Sequence, residues 1–193
     1  MAKLICGIDE AGRGALIGPL VMAGVLVEDG QQEELRNMGV KDSKLVSPKK
    51  REQLFDKILD FVKENAIVTV SPREVDGALA KHDMNLNWLE AHKSAEIINL
   101  LKPTTAIVDS PSSNTTAYST YLQNLLQQKP ELIVENKADL NYVECAAGSI
   151  LAKVTRDRAI EKIKKHVGEN FGSGYPSDPS TIAFLKKNYK KHE

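Results

Sequence analysis

The sequence predicts an α/β fold: a mixed sheet flanked by helices, with a helical cap at its C-terminal end. Three observations carry that prediction. Short Val- and Ile-rich runs recur between helical patterns, those patterns open on recognisable caps, and the chain from about residue 142 onward keeps a helical period with no strand-like run. With 193 residues, 41% of them apolar, the chain suffices for a single domain over 1–193 with a sizeable core, and about 142–193 forms its helical portion.

Residues 4–8 and 18–27 read as strands, and the acids Asp9 and Glu10 lead from the first into a glycine-rich turn. Ser47 and Pro48 stand as N-cap and first helical position, after which Leu54, Ile58, Phe61 and Val62 share a face. A strand over 66–70 runs into Ser71-Pro72-Arg73-Glu74, a second helix start with a capping box. Leu86, Leu89, Lys93, Ile97 and Leu101 mark a longer helix, 105–108 a strand, Tyr118, Leu122 and Leu125 another helix, and 132–134 the last strand. Ile150, Val154, Ile160 and Ile163 give a helical pattern from Val143 to Val167. Gly172-Ser173-Gly174-Tyr175-Pro176 ends it, and Asp178-Pro179 starts a final helix bearing Ile182, Phe184, Leu185 and Tyr189.

The balance of 26 basic and 26 acidic residues argues against a purely electrostatic nucleic-acid binder. From Asn141 onward, however, ten basic residues face six acidic ones, leaving that end about +4 and the remainder acidic. This suits an enzyme that grips phosphates at its rim and metal ions at its centre, or else a solvated helix face. The apolar run over 15–27 is too short for a bilayer, and Asp9 and Glu10 spoil a signal peptide, so a soluble, cytoplasmic protein without a membrane partner is expected. Cys6 and Cys145 lack zinc-type partners and are expected to be reduced and buried. His82, His92, His166 and His192 show no metal-binding spacing and belong on the surface. Trp88, between Leu86 and Leu89, is expected to pack in the core rather than to stack on a base.

Carboxylates at a strand end can hold a hard divalent cation, and a Gly-x-Gly turn lets a phosphate or sugar approach main chain. Asp9 and Glu10 before Gly12-Arg13-Gly14 fit that chemistry, though an ordinary solvated turn has the same composition. Asp109 ends an apolar run and would emerge beside Asp9 if the two strands are neighbours; it could equally start a turn. Asp139 lies just ahead of the long helix, placed either to reach the same cleft or to cap.

Six motifs in order extend over essentially the whole chain: Gly7-Ile8-Asp9-Glu10-Ala11-Gly12-Arg13-Gly14, Asp42-Ser43-Lys44-Leu45, Val108-Asp109, Lys137-Ala138-Asp139, Ser149-Ile150-Leu151-Ala152-Lys153-Val154, and Gly172-Ser173-Gly174-Tyr175-Pro176-Ser177-Asp178. Together they closely resemble ribonuclease HII in its shorter, archaeal-like form. The resemblance implies a ribonuclease H-like catalytic domain in which Asp9, Glu10, Asp109 and Asp139 form a four-acid metal site and the C-terminal helical portion binds substrate. It further implies that the Gly12-Arg13-Gly14 turn and Tyr175 read the ribose 2′-hydroxyl, and that Lys44, Ser149 and Lys153 lie near phosphates. One departure from many relatives is Gly148, which inside a helix costs about 0.5–1 kcal/mol relative to Ala and is expected to soften the backbone beside Ser149.

The activity so implied is metal-dependent endonucleolytic cleavage of the RNA strand of RNA–DNA hybrids, and at single ribonucleotides in duplex DNA, leaving 3′-hydroxyl and 5′-phosphate ends. Two divalent ions, Mg²⁺ or Mn²⁺, are expected, with Asp9 bridging, Glu10 and Asp109 completing one side and Asp139 the other. The protein is expected to be a monomer. Its last residues, Asn188-Tyr189-Lys190-Lys191-His192-Glu193, lack the Gln-and-aromatic tail through which some relatives are thought to meet a replication clamp, so the C-terminal sequence gives no support for a clamp partner. Competing readings are a ribonuclease H-like nuclease of other specificity, indifferent to the 2′-hydroxyl, and a non-catalytic hybrid-binding module with vestigial acids.

Overall fold

The structure is a computed structural model and describes residues 2–41 and 46–190. Its two longest strands, β1 (Leu4–Ala11) and β2 (Leu20–Glu28), pair antiparallel, and β3 (Glu64–Val70) continues that meander on the far side of β2. On the other edge of β1, β4 (Thr105–Asp109) and β5 (Glu131–Glu135) add in parallel, giving one mixed sheet ordered β3-β2-β1-β4-β5. All five expected strands lie in this sheet. The helices are α1 (Gln32–Asn37), α2 (Pro48–Phe61), α3 (Pro72–Leu79), α4 (Leu86–Leu101), α5 (Thr115–Leu125), α6 (Ala138–Asn141), α7 (Val143–Val167) and α8 (Pro179–Asn188).

The starts predicted from capping chemistry are those observed. Ser47 accepts from the Lys50 N–H ahead of Pro48, and Ser71 and Glu74 form the reciprocal capping box. Asp178 accepts from the Ser180 N–H at the start of α8. The short helices α1 and α6 were not visible in the sequence, because six and four residues are too few to show a period.

Alternation along the strands sorts the core into two layers. Ile5, Val21, Ala23, Val25, Val27 and Ile107 face α7, with Leu35 of α1 and Leu54 and Ile58 of α2 beside it. Cys6, Ile8, Met22, Leu26, Ala106 and Val108 face α4 and α5, against Ile97, Ile98, Leu101, Tyr118 and Leu122. Each Val, Leu, Ile or Met side chain among them contributes about 1.5–3 kcal/mol when fully buried. A smaller cluster of Ile160, Phe171 and Phe184, packed with Ile17 and Ile163, seats α8 on the far end of α7. This is the expected C-terminal cap.

Helix α7 lies against the sheet at glycine contacts. A Cβ at Gly7 would collide with the backbone of Glu144 and Cys145, and one at Gly148 would lie 2.8 Å from the Ala23 carbonyl oxygen. Gly148 therefore marks a close helix-to-strand approach. Helix α7 is continuous through Gly148, and the missing side chain lets the helix lie close against the strands beside Ser149.

Cys6 and Cys145 are free and buried on opposite sheet faces, and burial pushes both thiols up. His82, His92 and His166 are exposed, while His192 lies outside the described residues. Trp88 is half-buried and stacks on Tyr121 with ring centroids 4.2 Å apart. Among the described residues, no helix is long and apolar enough to cross a membrane.

Candidate active site

The acids do not enter a turn, as their neighbouring glycines suggested. Strand β1 continues through them, with Asp9 opposite Ala23 and Glu10 opposite Met22 of β2, so they occupy successive positions of a ladder. Successive strand residues face opposite ways. Asp9 follows Ile5 toward α7, whereas Glu10 follows Cys6 and Ile8 toward α4. Strand β4 runs parallel with Ile8 opposite Val108, which brings Asp109 to the same sheet edge, on the face it shares with Ile107 and therefore with Asp9. The acids thus straddle the carboxyl edge of two parallel strands, the usual place for a ligand in an α/β sheet.

One cavity of about 290 Å³ joins most of the sequence-predicted residues: Asp9, Glu10, Gly12, Arg13, Asp109, Ser149, Lys153 and Tyr175 all line it. Gly14 sits in the turn beside it, at φ +68° with open space at its Cα. Asp139 lines a different depression, with Lys41 and Val143. The two are linked, since Asp109 Oδ1 accepts from the Ala138 N–H at 3.0 Å and so holds the start of α6, the helix that carries Asp139. Lys137 turns the chain into α6 in a left-handed conformation, φ 60°, which an L side chain adopts at some cost. Lys44 lies outside the described residues.

The electrostatics of the clustered acids would suit a cation. Burial raises the Asp9 carboxyl well above its ordinary range, the charges of Glu10 and Asp109 add to this, and a hydrogen bond from Ser149 opposes it. Glu10 is pushed up to about 8 by burial and by the charges of Glu90 and Asp109. Every donor is a carboxylate oxygen, the ligand type of hard divalent ions. Among the described residues no three acidic, His or Cys side chains already form a closed cage. An open set fits a hard ion that keeps waters and shares substrate phosphates.

Two buried charges that hold the glycine-rich segments, Glu90 and Arg156, were missed by sequence reasoning. Glu90 of α4 is fully buried, pairs with the Arg13 guanidinium, and leaves Oε2 without a hydrogen-bond partner; burial, opposed by Arg13, raises its carboxyl to about 7. Arg13 Nη2 also donates to Asn87 Oδ1 at 2.9 Å, so its side chain anchors the Gly12-Arg13-Gly14 turn on α4. Arg156 of α7 is also buried; its guanidinium carbon lies 4.3 Å from the Tyr175 ring centroid, and Nη2 donates to Ser173 O at 3.1 Å. The readable signal was a charge on a core-facing helix position: Glu90 follows Leu86 by four residues, and Arg156 precedes Ile160 by four.

Tyr175 does not merely pack the start of α8. Its hydroxyl accepts from the Gly12 N–H at 2.9 Å, and Leu16 and Ile17 donate backbone N–H groups to Gly174 O at 2.8 and 3.1 Å. The two glycine-rich segments are thereby one unit. Gly12, at φ +96°, has no room for a side chain, because a Cβ would meet Pro19 O and the Arg156 side chain.

The raised carboxyls set the pH response of the metal-free protein. Unfolded, Glu titrates near 4.3. Folded, Glu90 and Glu10 titrate at about 7 and about 8, so between these limits the folded protein holds more protons than the unfolded chain. Their contribution to stability is full below the unfolded value and is lost as pH rises through the folded ones. The melting temperature in chelator is therefore expected to fall between about pH 5 and pH 8, and Glu10→Gln to flatten that slope; an identical slope in the variant would contradict the assignment.

The sequence matches the family described as Ribonuclease HII over residues 6–193. Ribonuclease HII of Pyrococcus furiosus is 46% identical over 190 residues, covering 97% of this chain and 83% of that protein. Among solved structures, ribonuclease H2 from Pyrococcus horikoshii OT3 superposes with a TM-score of 0.88 at 42% identity, covering 97% of this chain and 88% of the other. RNase HII of Archaeoglobus fulgidus, solved in complex with PCNA, gives 0.87 at 42% identity over 95% of this chain and 87% of that one.

Proposed function

The chain belongs to the ribonuclease HII family, metal-dependent endoribonucleases that cleave the RNA of RNA–DNA hybrids, and on that premise we propose that it also cuts at single ribonucleotides embedded in duplex DNA, leaving 3′-hydroxyl and 5′-phosphate ends. The observation that carries this reading is the shared cavity, where Asp9, Glu10 and Asp109 stand across from the joined Gly12 and Tyr175 unit. A phosphate held by the acids would place its sugar against that unit.

In this proposal Asp9, Glu10, Asp109 and Asp139 hold two divalent ions, Mg²⁺ or Mn²⁺. The ions would neutralise charge on the phosphoryl oxygens and ease deprotonation of the attacking water. Asp9 is positioned by its bonds from Ser149 and from the Glu10 N–H, the latter at 2.7 Å. Asp109 steadies α6 and with it Asp139. Lys153, whose ammonium is held by Asp157 at 2.7 Å, lines the cavity and would lie near a phosphate bound there. The portion over about 142–193 supplies Ser149, Lys153 and Tyr175 and acts as the substrate-binding part of the domain.

Tyr175 discriminates by hydrogen-bond arithmetic. Its oxygen accepts from Gly12 N–H, which leaves its own proton to donate to a ribose 2′-oxygen. A deoxyribose offers no acceptor there, and an unpaired donor in a closed site costs about 1–3 kcal/mol. Tyr175→Ala is expected to cost far more on a duplex with one ribonucleotide than on a continuous hybrid, where neighbouring registers are available, with Tyr175→Phe intermediate. Equal proportional losses on both substrates, with a lowered melting temperature, would leave Tyr175 a packing residue.

The whole reading is tested by incubating the protein with a duplex carrying a single ribonucleotide in Mg²⁺, Mn²⁺ or chelator and identifying the ends. Cleavage 5′ of the ribonucleotide in either metal and none in chelator is expected. Cleavage of all-DNA duplex at a similar rate, or none under any condition, would refute it.

A further inference from the structure

Past Arg51 and Lys153, which line both, the cavity of the acids opens into a larger one of about 650 Å³ between α2, the C-terminal half of α7 and the loop at Gly172 and Ser173. Eight of its lining side chains are Lys or Arg and three are acidic, in a chain without net charge. Each acid is already matched: Asp157 by Lys153, Glu52 by Arg158 and Glu161 by Lys164. The surplus includes Lys49, Lys162 and Lys165, which are exposed. Across the catalytic cavity, beyond Gly12 and Arg13, the lining turns to Leu16, Val75, Asp76, Leu79 and Leu86 and offers no comparable charge.

We propose that the groove between α2 and α7 is a track for the phosphate backbone of the substrate duplex on one side of the scissile bond. The inference rests on the nuclease reading above. The shared Arg51 and Lys153 identify the occupant, since a strand whose phosphate sits by the acids meets a continuous cationic floor in this direction and an apolar shelf in the other. Dimensions agree. Arg158, Lys162 and Lys165 recur four and three residues apart and share a helix face. From Lys153 to Lys165 the helix rises about 18 Å, over which one strand of a duplex spaces about five phosphates.

Binding of the full chain to a duplex with one ribonucleotide, followed by fluorescence anisotropy in chelator at several salt concentrations, tests this. Each neutralised phosphate contributes about 0.9 to the slope of log affinity against log salt. The triple variant Lys49→Ala, Lys162→Ala, Lys165→Ala is expected to lose about 2–3 from that slope and to bind at least tenfold more weakly at 0.1 M salt. Shortening the duplex on one flank should weaken the wild type and not the triple variant. An unchanged slope, or equal losses from shortening either flank, overturns the track. Failure of the wild type to cleave in either metal would refute the nuclease reading instead, and the slope in chelator would still judge the groove.

Discussion

Asp9→Asn is expected to reduce cleavage of a ribonucleotide-containing duplex by more than tenfold in saturating Mg²⁺ while the protein stays folded. The geometry sets both halves of that result. Asp9 is buried at the sheet edge between Glu10 and Asp109, and the amide retains an oxygen to accept the Glu10 N–H, so packing survives. What is lost is one charge from the set proposed to hold the ions. A tenfold loss corresponds to about 1.4 kcal/mol of barrier. At an effective dielectric of 20, like charges about 4 Å apart cost on the order of 4 kcal/mol, so removing one also relieves the empty site. The variant should therefore melt higher than wild type in chelator and gain less from added Mg²⁺. Single-turnover rates and paired melting curves check this; a residual rate above about a tenth would remove Asp9 from the centre of the site.

The same substitution at two glycines is expected to act with opposite sign. Gly7→Ala directs a methyl at the backbone of Glu144 and Cys145, which cannot swing aside as a side chain could, so α7 must lift from the sheet. Overpacking of this kind costs about 1–3 kcal/mol, and at about 2–4 °C per kcal/mol for a domain of this size the melting temperature falls by roughly 2–12 °C. Lifting α7 also withdraws Ser149 from Asp9, so activity falls further than stability alone would require. Gly77, inside α3, has open space at its Cα, and Gly77→Ala should stabilise by about 0.5–1 kcal/mol through helix propensity. Calorimetry on the two variants decides; a neutral Gly7→Ala would mean that the close approach is not a constraint.

The strands and long helices were legible because each carries its period and its cap in contiguous residues: α2, α3, α7 and α8 begin where Ser47, Ser71, Val143 and Asp178 said they would. The extension of β1 to Ala11 was not, since Asp9 and Glu10 have the composition of a turn and are held in the ladder by β2, a tertiary partner. The candidate site was legible as chemistry and not as wiring. Asp9, Glu10, Asp109, Ser149, Lys153 and Tyr175 were named from motifs and share a cavity, yet nothing local announces that Glu90 fastens Arg13 or that Arg156 underlies Tyr175. Such pairings depend on which helix lands opposite which turn. The cost of Gly148 was read from its own helix alone, whereas its use lies across the interface, at the carbonyl of Ala23.

The bond between Gly12 and Tyr175 joins positions 163 residues apart. Contacts of such separation close late, because the entropy of the intervening loop is lost before they form. During synthesis, at roughly 5–20 residues per second, the strands bearing Asp9, Glu10 and Asp109 leave the ribosome several seconds ahead of the segment bearing Tyr175. The strands that carry Asp9, Glu10 and Asp109 are thus made well before the segment that closes the contact with Gly12. The two glycine-rich segments can become one unit only after residue 175 has been made, so this joint is among the last parts of the fold to close.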